Sequence, residues 1–376
     1  MSLINPAFPV RIAHVIGKLR NGGVESVVMN YYRNIDRTKI QYDFIIDSDS
    51  SNPVLQDEIE SLGGKVIVVP PYQKPAEYHK ALYRLFTENN YPLVYSHLNT
   101  LSVFPLFAAW RAGIKIRVAH NHSTAGKGEF KRNMMKYTLR PFAKVFPTHL
   151  CACSEYAGRW LFGDKAMDSG RVKVWPNAID TERFAYNESV RDEIRMKLNL
   201  TGKFVIGHAG RFMTQKNHNF LMDIFSEIRK RREDSVLLLA GDGPLFNMFR
   251  DKVRSAGLSD SVIFLGSVHD MERYYQAMDL FIFPSLYEGL GMAAIEAEIS
   301  GLPVIASTEL PVEAKICDNF HFMPLRDSAV RWAEEALKNS DGHVRKDMSI
   351  YARESGFDVK TQGERLSEWY CSLLGI

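Results

Sequence analysis

The feature that most constrains the fold of this 376-residue chain is the alternation of short apolar runs with segments of helical periodicity. The first run, VRIAHVIG, precedes VESVVMNYYRNI, in which Val24, Val28 and Tyr31 recur on one helix face. Similar runs follow: YDFIID, KVIVVP, PLVYSHL, IKIRVAH and THLCACS in the first half, then RVKVWP, FVIGHAG, SVLLLAG, SVIFLG, DLFIFP and PVIAS in the second. Strands that are apolar on both faces and separated by helices predict parallel sheets covered by helices on both sides.

Chain length and loop residues predict two such domains, because a single core rarely grows beyond about 250–300 residues. The segment WPNAIDTERF, residues 175–184, carries Pro, Asn and Asp and is the predicted linker. We therefore predict doubly wound α/β domains over residues 1–178 and 179–357. Ligands of open parallel sheets bind beyond the carboxyl ends of the strands, so site residues are expected there.

Composition excludes several classes of protein. The 47 basic and 44 acidic side chains give a net charge of +3, which is too balanced for a protein whose partner is a nucleic acid. The four cysteines form no CxxC pair, which favours thiols in a reducing compartment. No apolar run approaches the roughly 18–20 residues of a membrane-spanning helix, and the first residues do not resemble a signal peptide. We expect a cytoplasmic protein that does not cross a bilayer.

The stretch EGLGMAAIE, residues 288–296, follows the strand-like run DLFIFP. We expect a helix to begin near Gly291, so that the unpaired N–H groups of its first turn face a phosphate or sugar oxygen. Glu288 then lies in the preceding loop and Glu296 in the second turn, where carboxylates accept hydrogen bonds from sugar and ribose diols. Glu298 projects roughly 200° further round the helix and is the less suitable acid. A plain turn with a solvated glutamate is the alternative.

Two further loops follow strands in the second half. Arg211 and Lys216, in GRFMTQKNH, can neutralise a departing diphosphate with two fixed cations. Gly241 and Gly243, in LAGDGP, allow the backbone to approach a flat base closely. The alternatives are solvated loop cations and an ordinary turn.

Candidates in the first half are histidines and glycines. His120 and His122 follow a strand in RVAHNHST, and His97 is a weaker candidate in YSHLNT. A structural role is the alternative for such histidines, and their alternation allows one to be buried and one exposed. An HxH pattern can also bind a metal ion, but no acid or Cys cluster with ligand spacing is near. GKLRNGGVES has Gly17 and Gly22 of a phosphate loop but lacks its lysine, and GxGxxG is absent, which disfavours ATPases and dehydrogenases. The glycine turn can still present N–H groups to an anion.

Two patterns have competing interpretations. Asp47 and Asp49, in DSD, match a metal–nucleotide motif of another architecture, but no second ligand group accompanies them and a polar loop is favoured.

In residues 131–145, KRNMMKYTLRPFAKV, a basic residue recurs every four positions with apolar residues on the other side. This suits either an interfacial helix or a solvated basic face. Pro141 is expected to kink or end the helix.

Six motifs, taken together, resemble those of family 4 glycosyltransferases, and the likeness covers nearly the whole chain: NGGVE, AHNHS, PNAID, GRFMTQKN, GDGP and FIFPSLYEGLGMAAIEAEISGLPVIAS. The chain is similar to members that build bacterial exopolysaccharide or capsule. The resemblance implies the GT-B fold, in which two Rossmann-like domains with parallel sheets face an interdomain cleft. It implies an acceptor-binding domain over 1–178, a nucleotide-sugar-binding domain over 179–357, and a helix within 358–376 that crosses back to the first domain.

The function that the resemblance implies is retaining transfer of a hexose-type sugar from a UDP- or GDP-linked donor to a glycan or lipid-linked acceptor, without metal or cofactor. A lipid-linked acceptor agrees with peripheral contact of residues 131–145 with the inner face of the membrane. Residue by residue, the resemblance assigns the diphosphate to Arg211 and Lys216, the transferred sugar to Glu288 and the ribose to Glu296.

The resemblance also implies a backbone cradle and a cleft histidine. The remaining donor-binding residues are Gly22, Gly23, Gly241, Gly289, Leu290, Gly291 and Met292. The catalytic set is His122, with His120 as its alternative, together with Glu288, Arg211 and Lys216. Ala178 departs from the family, because PNAID replaces a common glycine. The alternatives in function are an epimerase or phosphorylase of the same build, or a non-catalytic sugar-nucleotide-binding protein. A phosphorylase is disfavoured because it is normally much longer and carries a lysine-bound pyridoxal group.

Overall fold

The computed structural model describes residues 9–19, 23–47, 55–123 and 130–376, apart from the side chains of residues 130–133. The chain divides into two compact units. Unit 1 comprises Met1–Ile179 and Gly356–Ile376, and unit 2 comprises Asp180–Ser355. The boundaries expected from the sequence, after residues 178 and 357, lie within two residues of these divisions. The roles expected for the two domains stay predictions.

Strands and helices alternate through the described residues. The strands are β1 (Val10–Gly17), β2 (Ile40–Asp47), β3 (Lys65–Val69), β4 (Leu93–Ser96), β5 (Ile116–Asn121), β6 (His149–Ala152), β7 (Val172–Val174), β8 (Phe204–Ala209), β9 (Ser235–Ala240), β10 (Val262–Gly266), β11 (Leu280–Phe283), β12 (Val304–Ser307) and β13 (Phe320–Met323). The helices are α1 (Gly23–Asn34), α2 (Gln56–Ser61), α3 (Pro75–Asn89), α4 (Val103–Arg111), α5 (Phe130–Leu139), α6 (Glu155–Phe162), α7 (Asp164–Asp168), α8 (Thr181–Phe184), α9 (Glu188–Lys197), α10 (His218–Arg231), α11 (Phe246–Ser255), α12 (Met271–Ala277), α13 (Met292–Ile299), α14 (Ala329–Ser340), α15 (Ser349–Glu354) and α16 (Val359–Leu374).

Each unit is built on one parallel sheet. The strand order is β3-β2-β1-β4-β5-β6-β7 in unit 1 and β10-β9-β8-β11-β12-β13 in unit 2. All neighbouring strands pair in parallel. The predicted pair of doubly wound domains is therefore confirmed. The strand order reverses between β1 and β4 and again between β8 and β11, and such switch points are where open α/β sheets bind ligands.

Burial on both faces explains why these segments are strands. All eight residues of β2 are buried, with Phe44 and Ile46 in the core on one face of the sheet and Ile45 in the core on the other. A strand that lies in the middle of a sheet packed by helices needs apolar side chains at successive positions. Full burial of such a side chain contributes about 1.5–3 kcal/mol.

Two strand assignments differ from the sequence analysis. RVKVWP, expected in the second series, forms β7, which pairs with β6 at the edge of unit 1. Its Lys173 and Val174 are exposed, as edge strands allow. The segment FHFM, which was not recognised, forms β13 and pairs with β12. It is four residues long with partly exposed positions, too short for periodicity to identify.

Helix α16, which follows unit 2 in the chain, completes the core of unit 1. Ile179 and Asp358 form a parallel β-bridge where the chain returns. Tyr370 is buried beside Tyr42, and their hydroxyl oxygens are 3.1 Å apart. A Cβ on Gly363 would lie 2.6 Å from the carbonyl oxygen of Asn34, so only glycine lets α16 approach α1 this closely.

Candidate active site

The switch point of unit 2 brings together the loops that follow β8 and β11. Leu286 N donates to Gln215 O (2.8 Å), and Gln215 Nε2 donates to Tyr287 O (2.8 Å). Lys216 Nζ then lies 2.7 Å from Glu288 Oε1, with both side chains mostly buried. The Lys216 ammonium also lies over the ring of Phe283, 4.5 Å from its centroid. The lysine and glutamate chosen from the sequence are therefore direct partners.

Glu296 lies on α13, in its second turn as expected. Tyr275 Oη donates to Glu296 Oε2 (2.9 Å). Burial raises the pKa of Glu296 to about 7, while the Tyr275 hydrogen bond opposes that shift. The carboxyl group therefore changes its charge near neutral pH, and its hydrogen-bonding capacity changes with it.

Helix α13 begins at Met292, after Gly291 in the left-handed region (φ 87°). A Cβ on Gly291 would lie 2.8 Å from Leu310 Cδ2, so both conformation and space require glycine. Ala294 N donates to Gly291 O, which is the first hydrogen bond of the helix. The backbone from Gly289 to Met292 lies where the sequence analysis expects the donor cradle, and the N–H groups of a first helical turn suit an anion.

The other acid on α13, Glu298, is fully buried and has a structural role. Its Oε1 accepts hydrogen bonds from the N–H groups of Ile316 (3.2 Å) and Cys317 (3.1 Å). Burial raises the pKa of Glu298 to about 8, and these hydrogen bonds oppose that shift. The side chain holds the loop before β13, which agrees with the expectation that Glu298 is the less suitable ligand acid.

Close contact between two loops explains why position 241 requires a glycine. Phe212 N donates to Asp242 O (3.0 Å), and Leu245 N donates to Phe212 O (3.0 Å). A Cβ on Gly241 (φ 136°) would lie 2.2 Å from Gly210 O. The glycine is therefore needed for packing whether or not a base binds there.

Arg211 and two histidines surround this switch point. Arg211 is exposed, and within the described residues its guanidinium has no hydrogen-bond or ion-pair partner. His208 and His218, which the sequence analysis did not select, are buried with ring centroids 4.9 Å apart. Burial, and then Lys216, lower the pKa of His218 to about 4. Only their position in the sequence could have indicated these two histidines, because both flank the loop that follows β8.

A cluster of four buried histidines lies at the switch point of unit 1. His14 Nδ1 is 3.0 Å from His97 Nε2, and His97 Nδ1 is 2.9 Å from His122 Nε2. The rings of His120 and His122 stack with centroids 3.9 Å apart, and His120 Nδ1 lies 3.0 Å from Tyr95 Oη. The expectation of one buried and one exposed histidine is wrong, because His120 and His122 are both buried.

These imidazoles are neutral and partly unpaired. Burial lowers the pKa of His14 to about 3 and that of His122 to about 4, and lowers those of His97 and His120 strongly. Within the described residues, His14 Nε2, His120 Nε2 and His122 Nδ1 are buried without a hydrogen bond of normal geometry. The side chain of Asn177 lies close to His122 and opposes the lowering of its pKa by burial. Nitrogens of His97, His120 and His122 lie within 4.8 Å of one another, an arrangement that can also hold a metal ion. A cavity of about 20 Å³ borders the cluster, which is room for one water molecule.

Two family models match the two halves of the chain: "Glycosyltransferase Family 4" over residues 21–183 and "Glycosyl transferases group 1" over residues 190–355. The putative glycosyltransferase EpsF of Bacillus subtilis (strain 168) is 36% identical over 307 residues, which cover 80% of this chain and 79% of EpsF. The chain is a family 4 glycosyltransferase.

Other proteins resemble this glycosyltransferase over more of its length. An Escherichia coli enzyme, UDP-Gal:alpha-D-GlcNAc-diphosphoundecaprenol alpha-1,3-galactosyltransferase, is 24% identical over 97% of each chain. HepE of Anabaena, solved with UDP and glucose, superposes with a TM-score of 0.79 at 19% identity, covering 96% of this chain and 100% of HepE. WaaG, a glycosyltransferase involved in lipopolysaccharide biosynthesis, gives a TM-score of 0.67 at 14% identity, covering 95% of each chain. These structures show that the fold is GT-B.

Two residues of the glycosyltransferase that the sequence singled out, the donor-loop glycine Gly22 and the alternative metal ligand Asp49, lie outside the described residues. Gly23 is the first residue of α1, and among the described residues no atom outside its own helix turn lies within 4 Å of the Cβ that another residue would carry there. Asp47 is the last residue of β2, and its side chain is buried.

The segment 131–145 of the glycosyltransferase combines exposed apolar side chains with basic ones. Helix α5 ends at Leu139, just before Pro141, as expected. Met134, Phe142 and Val145 are each more than half exposed. In the part of the chain that the structure describes, no helix is long and apolar enough to span a membrane.

Proposed function

We propose that this glycosyltransferase moves a hexose-type sugar, with retention of configuration, from a UDP- or GDP-linked donor to a glycan or lipid-linked acceptor of exopolysaccharide or capsule synthesis. The observation that carries the donor assignment is the meeting of Lys216, Glu288 and the start of α13 at the switch point of unit 2. The similarity to EpsF supports the biological setting, and the UDP-glucose complex of HepE supports the donor class.

Different residues of unit 2 bind different parts of the donor. Glu296 accepts hydrogen bonds from the ribose diol, and its position beside Tyr275 fixes the carboxylate for that contact. Glu288 accepts hydrogen bonds from hydroxyls of the transferred sugar. The N–H groups between Gly289 and Met292 approach the phosphate and sugar oxygens at the helix start.

Lys216 and Arg211 neutralise the negative charge of the departing diphosphate, so the proposed mechanism uses no metal ion or cofactor. Lys216 is bonded to Glu288 without a ligand. An arriving diphosphate therefore shares an ammonium that is already oriented, while Arg211 is exposed and available. An exposed arginine in the loop that follows β8 adds a second positive charge to that of Lys216.

Unit 1 supplies the histidine that acts at the transferred sugar. His122 is the proposed residue and His120 its alternative, because both rings lie at the carboxyl end of β5. Within the described residues His122 Nδ1 is buried near Asn177 without a hydrogen bond of normal geometry, and a sugar hydroxyl is a suitable partner for such an atom. A neutral imidazole offers either a donor or an acceptor there.

Binding and turnover test the proposal separately. A thermal-shift series with UDP, GDP, ADP and their sugars identifies the donor, since a ligand of the folded state raises its melting point. Transfer is then measured with the stabilising donor and a panel of glycan and lipid-linked acceptors, and anomeric configuration is read by NMR. A product of inverted configuration contradicts the retaining mechanism. Stabilisation by donor without transfer to any acceptor favours a non-catalytic sugar-nucleotide-binding protein.

Membrane contact through residues 131–145 is part of the same proposal. Between residues 89 and 154 the sequence holds a single acid, Glu129, and nine cations: Arg111, Lys115, Arg117, Lys127, Lys131, Arg132, Lys136, Arg140 and Lys144. Exposed apolar side chains beside such a basic stretch suit an anionic interface. Vesicle flotation at low salt tests this contact. Equal recovery on neutral and anionic vesicles contradicts it, and Phe142→Ser with Val145→Ser is expected to reduce recovery on the anionic ones.

A further inference from the structure

Three of the buried histidines of unit 1 form a continuous hydrogen-bonded chain, which we call the imidazole chain: His14, His97 and His122. Its links are His14 Nδ1 to His97 Nε2 (3.0 Å) and His97 Nδ1 to His122 Nε2 (2.9 Å). The atoms at its two ends, His14 Nε2 and His122 Nδ1, are buried, and neither has a hydrogen bond of normal geometry within the described residues. The side chain of Asn177 lies close enough to His122 to raise its pKa against the larger lowering by burial. His14 lies in β1, and His97 and His122 directly follow β4 and β5, so three neighbouring strands position the imidazole chain.

The number of protons restricts this arrangement. Three neutral imidazoles have six ring nitrogens and three N–H protons. The two links occupy four nitrogens and two protons, because each link needs one N–H and one bare nitrogen. One proton therefore remains for the two end atoms. Either His14 Nε2 or His122 Nδ1 carries it, and the other is a bare acceptor.

Only two arrangements satisfy both links. If His14 Nδ1 donates to His97, then His97 Nδ1 donates to His122, and all three rings are protonated at Nδ1. If His97 Nε2 donates to His14, then His122 Nε2 donates to His97, and all three are protonated at Nε2. If one ring of the imidazole chain had the other tautomer, two bare nitrogens or two N–H groups would face each other at about 3 Å.

We propose that the imidazole chain exists in one common tautomer, so that His14 and His97 are positioning residues that decide whether His122 presents a donor or an acceptor to its ligand. The ligand is the transferred sugar, so this role rests on the proposed function, although the common tautomer does not. The His14 ring is held between Tyr42 (3.7 Å) and Tyr95 (5.1 Å), and therefore cannot turn to break its link without disturbing the core.

A bound metal ion is the competing explanation for these short contacts. An ion held by His97, His120 and His122 would take lone pairs that the hydrogen bonds use, since a metal ligand nitrogen carries no proton. His120 instead lies at hydrogen-bond distance from Tyr95 through Nδ1. The two explanations predict different metal contents and different tautomers, so one experiment separates them.

The first test is NMR on the full chain labelled with 15N at its histidines, where two-bond proton couplings report which nitrogen carries the proton. Single substitutions assign the signals of His14, His97 and His122. The expected result is the same tautomer in all three. A mixture of the two types among them overturns the proposal, as does a stoichiometric metal ion in the purified chain.

The second test is catalytic and uses paired variants. His14→Phe keeps a flat ring beside Tyr42 but removes both nitrogens, whereas His14→Asn keeps a hydrogen-bonding amide near the position of Nδ1. We expect His14→Phe to lower kcat about tenfold, the effect of one hydrogen bond, with the donor KM unchanged, and His14→Asn to recover most of it. His79→Phe, in a half-buried ring stacked on Phe107, is the control and is expected to change neither kcat nor the tautomers.

The outcomes distinguish the two proposals. If the wild-type protein transfers no sugar but its three histidines share one tautomer, the proposed function is wrong and the proposed common tautomer of the imidazole chain is supported. If transfer occurs and His14→Phe and His14→Asn lose the same amount of kcat, the positioning role is overturned. A mixed set of tautomers in the wild-type chain, with signals assigned by the single substitutions, overturns the proposal whatever the activity.

Discussion

Lys216 Nζ and Glu288 Oε1 are 2.7 Å apart. The loops that carry them are also joined by Leu286 N to Gln215 O (2.8 Å), so the pair is part of a fixed contact between the strand ends of β8 and β11. The cation assigned to the diphosphate and the carboxylate assigned to the sugar thus stabilise each other before the donor arrives. Replacing either one changes the electrostatic environment of the other.

Glu288→Ala is expected to abolish most turnover while leaving the affinity for the free nucleoside diphosphate unchanged or higher. The sugar loses its carboxylate, but the Lys216 ammonium loses its competing partner. Calorimetric titration with the diphosphate, together with donor turnover, measures both effects. Weaker diphosphate binding in this variant would show that Glu288 is not the sugar residue.

Glu296→Ala is expected to weaken the intact donor and the free nucleoside diphosphate alike, about tenfold or more, because a charged hydrogen-bond partner contributes about 1.5–3 kcal/mol. Retained affinity in Glu296→Ala, with loss in Glu288→Ala, would reverse the two assignments.

The affinity for nucleoside diphosphate is expected to fall as pH decreases through about 7, because Glu296 is protonated below its raised pKa. Tyr275→Phe removes the hydrogen bond that lowers this pKa, so the midpoint should move to higher pH. Titrations across pH 5.5–8.5 measure it, and Glu296→Gln, which cannot titrate, corrects for protonation of the ligand itself. A midpoint that Tyr275→Phe leaves in place contradicts the assignment.

Glu298→Gln is expected to stabilise the fold above neutral pH. The pKa of Glu298 is about 8 in the folded chain and about 4.5 when unfolded, so its contribution is complete below pH 4.5 and is lost as pH rises toward 8. The gap in unfolding free energy between variant and wild type should grow by up to about 1.4 kcal/mol per pH unit from pH 5 to 8. Urea denaturation measures it, with Glu313→Gln on the surface as control. A constant gap would refute the raised pKa.

His122→Ala is expected to lower kcat by on the order of 10²-fold with donor binding largely kept, as for a residue that acts in the transition state. Since burial lowers the pKa of His122 to about 4, no titration of this ring should appear in kcat between pH 6 and 8. Steady-state kinetics of His122→Ala and His120→Ala decide between the two rings. If only His120→Ala shows the loss, the assignment belongs to His120.

Activity is expected to persist in EDTA, because Lys216 and Arg211 supply the positive charge that a divalent ion would otherwise provide. Asp49→Ala is expected to keep most of the activity, and it avoids the buried Asp47. Loss of turnover in EDTA, with recovery on Mn²⁺, would contradict this chemistry.

The sequence was sufficient for the parts of this structure that depend on local pattern. Apolar runs such as FVIGHAG predicted strands because a parallel sheet buries both faces, and Gly291 predicted the start of α13 because of its backbone freedom. Family motifs then placed Lys216 and Glu288 in one site, and the structure shows them bonded.

Long-range relationships could not be predicted in this way. His14 and His97 are 83 residues apart, and their contact depends on β1 and β4 being neighbours, which periodicity does not reveal. The burial of His122 was missed for the same reason, since it depends on rings from other strands. The reason for Gly241 required the position of Gly210 O on a different loop.

The return of the chain to unit 1 affects the order in which the protein can fold on the ribosome. Residues 180–355 are synthesised, and can fold as unit 2, before residues 356–376 exist to pack on unit 1. Until then the pocket that receives Tyr370 beside Tyr42 is open and apolar. Unit 1, most of which is synthesised before unit 2, therefore completes its core after unit 2. Its incomplete core is the part of the protein that is exposed to aggregation during synthesis.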